Sequence, residues 1–210
     1  DVLLAVQPSS LSPEQMDHFI AVVENGQPTA IFEDPFPMDQ NVPGTTAPKR
    51  PQQNPMFGGG RPQGGPKGNI GRLWTDLGID FAADQVVWQR YNPYPRLGYL
   101  PDGCVFIDQG ASKDMVFNPN DPITSGLQEM IFLFPGHAKA LNATNLSIKP
   151  LAVTGQNTGF VLVSDLMMPS FFGGRGGLNP RRRQIPTRDE YVLAMHIQGT
   201  LKDNALMADQ

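Results

Sequence analysis

The spacing of apolar residues at the start of the chain predicts a strand followed by a helix. Residues 2–6 form a continuous apolar run, which is typical of a buried strand. Ser12 precedes Pro13 and Gln15, which is the order of an N-cap, a first-turn proline and a capping-box partner. Gly26 supplies a left-handed helix end. The apolar face of this helix combines Met16, Phe19, Ile20 and Val23 at the i, i+3, i+4, i+7 spacing.

A second strand follows the helix. Thr29–Phe32 is a short run of β-branched, apolar and aromatic residues. A strand, a connecting helix and a strand imply a parallel pair joined by a right-handed crossover. The pattern therefore predicts an α/β domain.

Residues 36–69 interrupt this pattern with a segment rich in proline and glycine. Phe36 and Phe57 are its aromatic residues, so it cannot bury enough apolar surface to offset the entropy of ordering. We predict a flexible insertion within a single domain spanning residues 1–210, poorly ordered over residues 42–67 and cut first in limited proteolysis. Its run GGGRPQGGPKG lacks the GK[ST] ending of a phosphate-binding loop.

The remainder of the chain is expected to be richer in strands. Ile70, Leu73, Trp74 and Leu77 repeat the helical spacing before Gly78, which predicts one more short helix. Strand-length apolar runs then follow with few helical signals. They lie at residues 79–81, 86–91, from Cys104 onward, 115–117, 130–134 and within LSIKPLAVTGQNTGFVLV and EYVLAMHIQGTL.

Charge and composition exclude some classes of protein. The net charge of −4 over 210 residues argues against a nucleic-acid binder, which needs a concentrated basic surface. The basic run formed by Arg181, Arg182 and Arg183 is interpreted as a solvated loop, with a contact to phosphate or lipid headgroups as the alternative. No apolar stretch approaches the ~20 residues that span a bilayer.

The single cysteine, Cys104, cannot form an internal disulfide. A nucleophilic cysteine of the class I amidotransferase type would lie on a sharp turn from a strand into a helix. Here VFID follows Cys104 and continues a strand, so the pattern favours a buried core thiol.

Few residues suggest catalysis or metal binding. His18, His137 and His196 stand at no metal-ligand spacing, so we expect no metal and no cofactor. His137, which follows a turn, has the best catalytic prospects of the three. Asp34 follows the second strand, at the edge where open α/β sheets bind ligands, although its DPF context also suits a simple turn.

The opening segment, DVLLAVQPSSLSPEQMDHFIAVVENGQPTAIFEDPF, resembles the signature of the GldG-like family, the periplasmic auxiliary components of ABC transporters of the gliding-motility type. Further stretches agree with that family in the same order along the chain. They are LWTDLGIDFAADQVV, NPNDPITSGLQEMIFLFPG and YVLAMHIQGTLKDNA.

The resemblance implies a flavodoxin-like, mostly parallel sheet similar to class I amidotransferase-like and ThuA-like folds, with a more β-rich C-terminal part. It also implies a non-enzymatic interaction domain outside the cytoplasmic membrane, taken from a longer chain that reaches the membrane through other segments. Its expected partners are the permease and ATPase subunits or an envelope protein, with an envelope polymer as a further possibility. No catalytic residues carry over.

The alternative is a divergent ThuA-like or amidotransferase-like hydrolase or sugar-processing enzyme. Such an enzyme would gather Asp34, Asp108 and His137 within hydrogen-bonding distance at the strand ends. The candidate binding surface consists of these side chains and the basic run. In full it is Asp34, Asp108, His137, Arg181, Arg182 and Arg183.

Overall fold

The computed structural model describes residues 1–39, 41–49, 65–141, 145–168 and 176–201. Its helices are α1 (Pro13–Glu24), α2 (Ile70–Asp76) and α3 (Val163–Leu166). Its strands are β1 (Leu3–Val6), β2 (Thr29–Phe32), β3 (Ile79–Phe81), β4 (Gln85–Gln89), β5 (Cys104–Asp108), β6 (Glu129–Leu133), β7 (Ala138–Ala140), β8 (Ser147–Val153), β9 (Thr158–Leu162), β10 (Ile185–Pro186) and β11 (Val192–Gln198).

The N-terminal unit folds as its sequence signals predict. The Ser12 hydroxyl accepts a hydrogen bond from the Gln15 main-chain N–H, and the Gln15 side chain accepts one from the Ser12 N–H, so the capping box is complete. Gly26 ends α1 with a φ of 87°. β1 and β2 pair in parallel. The helix, both strands and their relative direction are confirmed.

The predicted fold class is wrong. The described residues are 30% strand and 17% helix, and β1 and β2 form the parallel pair while the other sheets are antiparallel. Those sheets have the orders β10-β9-β4, β3-β7-β11-β8 and β5-β6. The described strands therefore form no flavodoxin-like, class I amidotransferase-like or ThuA-like mostly parallel sheet.

The reason lies in the connections between strands. A parallel pair needs a long crossover, usually a helix, whereas antiparallel neighbours can be joined by turns and irregular segments. After β3, the described chain contains one short α-helix, α3, which lies between β9 and β10 in the sequence. These two strands pair antiparallel, so α3 is not a crossover between parallel strands. The strand predicted at residues 115–117 is also wrong, because Phe117 makes only an isolated bridge with Ala152.

Three apolar clusters form the interior of the described structure. The first combines the buried faces of α1 and α2 with the inner face of the β1-β2 pair and with the β3-β7-β11-β8 sheet. The second joins β4 and β5 to Tyr191 and to the segment around Phe117. The third lies between β4, β9 and α3 and includes Phe36 and Phe134. Among the described residues, no helix combines the length and apolar character needed to cross a membrane.

The described ends of the proline- and glycine-rich segment are held by one lysine. The Lys67 ammonium donates hydrogen bonds to the carbonyls of Gly44, Thr45 and Ala47, at 3.0, 2.7 and 3.1 Å. Phe36 is buried in the third cluster. Residues 50–64, the middle of the predicted insertion, lie outside the described residues, so its flexibility stays a prediction.

Candidate functional site

The β5-β6 pair has one buried and one accessible face. Val105 and Ile107 of β5 point into the second apolar cluster and are fully buried. Because side chains alternate along a strand, Phe106 and Asp108 point the other way. Across the ladder Phe106 is paired with Ile131, and Asp108 with Glu129, so these side chains share the second face.

Two tyrosines of the segment before β5 bind the carboxylates on this face. The Tyr91 hydroxyl donates to an oxygen of Asp108 at 2.7 Å, and the Tyr94 hydroxyl donates to an oxygen of Glu129. The ring of Tyr94 also packs on Phe106, with 5.7 Å between ring centroids. The segment is thereby fastened across the strand pair.

These contacts keep the phenols protonated. Burial and the hydrogen bond to Asp108 raise the pKa of Tyr91 to about 12. The hydrogen bond to Glu129 raises the pKa of Tyr94. Both tyrosines therefore remain hydrogen-bond donors throughout the physiological pH range.

A cavity of about 270 Å³ opens between this segment and the strand pair. We call it the tyrosine cleft. Asp108 and Glu129 line it, and none of its lining residues carries a positive charge. Its other lining residues are uncharged, namely Pro93, Tyr94, Phe106, Ile107, Met130 and Ile131.

A second cavity, of about 330 Å³, is also lined by Phe106. Its two charged residues neutralise each other, because Arg90 and Asp102 form an ion pair at 3.6 Å. Gln184 donates to Asp102 at 3.1 Å and accepts from Arg90 at 3.3 Å. The tyrosine cleft therefore has the unbalanced charge, and the second cavity does not.

The surface next to the tyrosine cleft is apolar and exposed. Ile131 and Leu133 of β6 are 45% and 48% exposed on the face that carries the cleft. Tyr99, in the segment that carries Tyr91 and Tyr94, is 79% exposed. Contiguous exposed apolar surface is characteristic of interaction sites, and tyrosine is enriched at them. Sequence reasoning placed Tyr91 at the end of the predicted strand at residues 86–91 and placed Tyr94 and Tyr99 in a loop, without assigning them a role. The recurrence of tyrosine in YNPYPRLGY was the available signal.

The structure separates the predicted site residues. Asp108 lies in the tyrosine cleft. An oxygen of Asp34 instead accepts from the main-chain N–H of Phe36 at 2.7 Å, which is the simple turn that its DPF context suggests. Among the described residues, no hydrogen bond joins any two of Asp34, Asp108 and His137.

His137 is a core residue. It is 7% exposed, its Nε2 lies 3.1 Å from the Gln85 side-chain oxygen, and its ring packs edge-on against Tyr191 at 4.6 Å. Burial lowers the pKa of His137 to about 4, so the imidazole is neutral at physiological pH. In the described part of the chain, no group of three or more His, Cys, Asp and Glu side chains is placed to hold a metal ion.

The basic run lies in a turn after Asn179. The Arg182 guanidinium donates to the Asn179 carbonyl at 3.1 Å, while Arg181 and Arg183 are exposed. The run precedes Gln184, which contacts the second cavity. None of its three arginines lines the tyrosine cleft.

Cys104 is expected to react slowly with a mild thiol reagent in the native protein. Its side chain is buried, and burial raises the pKa of the thiol, which lowers the thiolate fraction. Labelling should become rapid and stoichiometric in denaturant. Equally rapid labelling of native and denatured protein would contradict the core assignment.

The fold and the cleft define a β-rich domain with an exposed, tyrosine-lined surface. The family model described as "ABC-type uncharacterized transport system" matches residues 1–206. The chain therefore belongs to this family and is an auxiliary component of an ABC-type transport system. No curated protein and no solved structure matches it significantly.

Proposed function

We propose that this chain is a non-enzymatic interaction domain that serves an ABC-type transport system on the extracytoplasmic side of the cell membrane. Membership of the auxiliary-component family supports the link to transport. The observation that carries the interaction role is the tyrosine cleft, together with the exposed Ile131 and Leu133 on the same face of β6. Aromatic and aliphatic groups around a few polar ones are typical of the centre of a protein interface.

The proposed partner is a protein, namely a permease or ATPase subunit of the transporter or an envelope protein. The exposed side chains of β6 on the face of the cleft are those of Ile131 and Leu133, and exposed aliphatic surface of this kind marks protein–protein contact sites. A protein is therefore favoured over an envelope polymer. The resemblance of the opening segment supports a transporter of the gliding-motility kind.

Photo-crosslinking in the full-length protein tests this proposal. A photoreactive phenylalanine analogue replaces the exposed Tyr99, in the segment that carries Tyr91 and Tyr94, or, as a matched control, Val22 on α1, which is 42% exposed. After irradiation of intact cells, we expect a crosslinked product that contains a transporter or envelope protein at position 99 and not at position 22. Mass spectrometry identifies the product.

Two outcomes would contradict parts of the proposal. Equal crosslinking at both positions, or none at position 99, would contradict the proposed interface. A crosslinked product that contains a polymer and no protein would show that the partner is an envelope polymer. The location is tested separately by adding a protease to spheroplasts. If the domain resists the protease in intact spheroplasts and is digested only after they are lysed, the extracytoplasmic assignment is contradicted.

A further inference from the structure

β6 is an edge strand with a free main-chain edge. β5 is its one partner in the described sheets. The Phe134 N–H donates to the Gly103 carbonyl at 2.7 Å, so the main-chain groups of Phe134 face β5. In an antiparallel pair, successive residues turn their main-chain groups alternately toward and away from the partner strand. The main-chain groups of residues 130 and 132 therefore face β5, and those of residues 129, 131 and 133 face outward. In the described structure, no hydrogen bond occupies these outward groups.

Among the described residues, this edge carries one charged side chain, that of Glu129, and otherwise lacks the features that usually protect an edge strand. Lysine, proline, a bulge or a covering loop normally prevents another strand from pairing. The sequence of β6 is EMIFL, and its ladder with β5 runs without a register shift from Leu133 to Glu129. Ile131 and Leu133 are exposed beside the free edge. The edge is therefore open to an added strand.

We propose that β6 receives an extended segment of a partner protein as an added strand, and that a lysine or arginine of that segment enters the tyrosine cleft. This inference rests on the proposed function. Strand addition obtains affinity from main-chain hydrogen bonds and specificity from pockets that receive alternate side chains. Here the outward main chain supplies the bonds, and the tyrosine cleft supplies a pocket at the end of β6.

The charge of the cleft selects a basic side chain. Asp108 and Glu129 each accept a tyrosine hydroxyl, and a carboxylate has room for further donors. No lining residue neutralises them. The ring of Tyr94, which also lines the cleft, can in addition attract a cation.

A second copy of this chain is a poorer occupant of the same edge. A β6 strand from another molecule would bring the sequence EMIFL, which contains no basic residue. It would add an acidic side chain to a surface that already holds Asp108 and Glu129. The charge of the cleft therefore favours a different protein.

The test selects peptides of about twelve residues, long enough to span β6, from a random display library on the domain. We expect enriched peptides to alternate β-branched or aromatic residues with polar ones and to contain lysine or arginine. Their affinity should fall at least about tenfold for Ile131→Pro, which removes an outward N–H, and for Glu129→Gln, which removes a cleft charge. Glu14→Gln on the exposed face of α1 is the matched control and should bind normally.

Ile131→Pro leaves the ladder to β5 intact, because the lost N–H faces outward. An unchanged melting temperature checks that the variant is folded. Peptide N-methylation gives an independent readout that needs no protein variant. Two sets of peptides are compared, one N-methylated at the odd-numbered residues and one at the even-numbered residues. One set should lose binding and the other should keep it, because an added strand turns only every second N–H toward β6.

Several outcomes would overturn strand addition. They are the absence of any enriched peptide, enrichment without basic residues, and an equal loss of binding for both sets of N-methylated peptides. A concentration-dependent dimer that Ile131→Pro abolishes would assign the edge to a second copy. Crosslinking of position 99 to a transporter or envelope protein without these peptide results would reject strand addition and leave the proposed function standing.

Discussion

Replacing Gln89 with leucine is expected to lower the free energy of unfolding by about 2–6 kcal/mol, since each buried polar group left without a partner costs ~1–3 kcal/mol. Gln89 is 2% exposed. Its amide donates to the Phe106 carbonyl at 2.6 Å, and its side-chain oxygen accepts from the Gly155 N–H at 2.7 Å. Leucine fills a similar volume but can satisfy neither group.

Urea denaturation measures this change. Gln156→Leu is the matched control, because Gln156 is exposed and its hydrogen bond to Glu190 lies at the surface. Its effect should stay within about 0.5 kcal/mol. Equal stability of the wild type and Gln89→Leu would contradict the bridging role of Gln89 between β4, β5 and the turn after β8.

Stability is expected to fall as the pH drops from about 6.5 to about 4. These are the pKa values of His137 in the unfolded and in the folded chain. Below pH 6.5 the unfolded chain takes up a proton that the folded chain, with its lowered pKa, does not accept. Protonation thus favours the unfolded state. The difference amounts to about 3 kcal/mol once the pH is below both values, at ~1.4 kcal/mol per pKa unit.

His137→Phe should remove this dependence, because phenylalanine keeps an aromatic contact with Tyr191 and does not titrate. His18→Gln, at an exposed position on α1, should leave the dependence unchanged. Chemical denaturation at several pH values between 4 and 6.5 provides the measurement. The same slope in the wild type and His137→Phe would contradict the buried, neutral assignment.

A second acid effect lies in a separate pH window. Asp121 binds His196 at 2.7 Å, and this hydrogen bond lowers the pKa of the carboxyl from its ordinary value of 3.8. A lowered carboxyl pKa stabilises the fold above that value and loses its effect as the pH falls through the depressed one. The contribution of Asp121 is therefore lost below the range in which His137 titrates.

The site shows how local and distant information differ. Sequence reasoning named Asp108 as part of a candidate binding surface and, under the enzymatic alternative, grouped it with Asp34 and His137. Its actual neighbours are Tyr91, 17 residues before it, and Glu129, which it meets across the β5-β6 ladder. Nothing local to Asp108 specifies either neighbour, because strand register depends on the whole ladder and on its connections.

By itself, the sequence determined the elements whose signals are local. The capping box at Ser12, the apolar face of α1 and the left-handed Gly26 act within a few residues, so α1 and its flanking strands follow from them. Most later strands are likewise visible as apolar runs. Only the tertiary structure decided that these strands pair antiparallel, that His137 is buried, and that two tyrosines join two carboxylates beside an open edge. Apolar runs specify that a strand is buried but not which strand it pairs with, since that choice depends on packing between residues far apart in the chain.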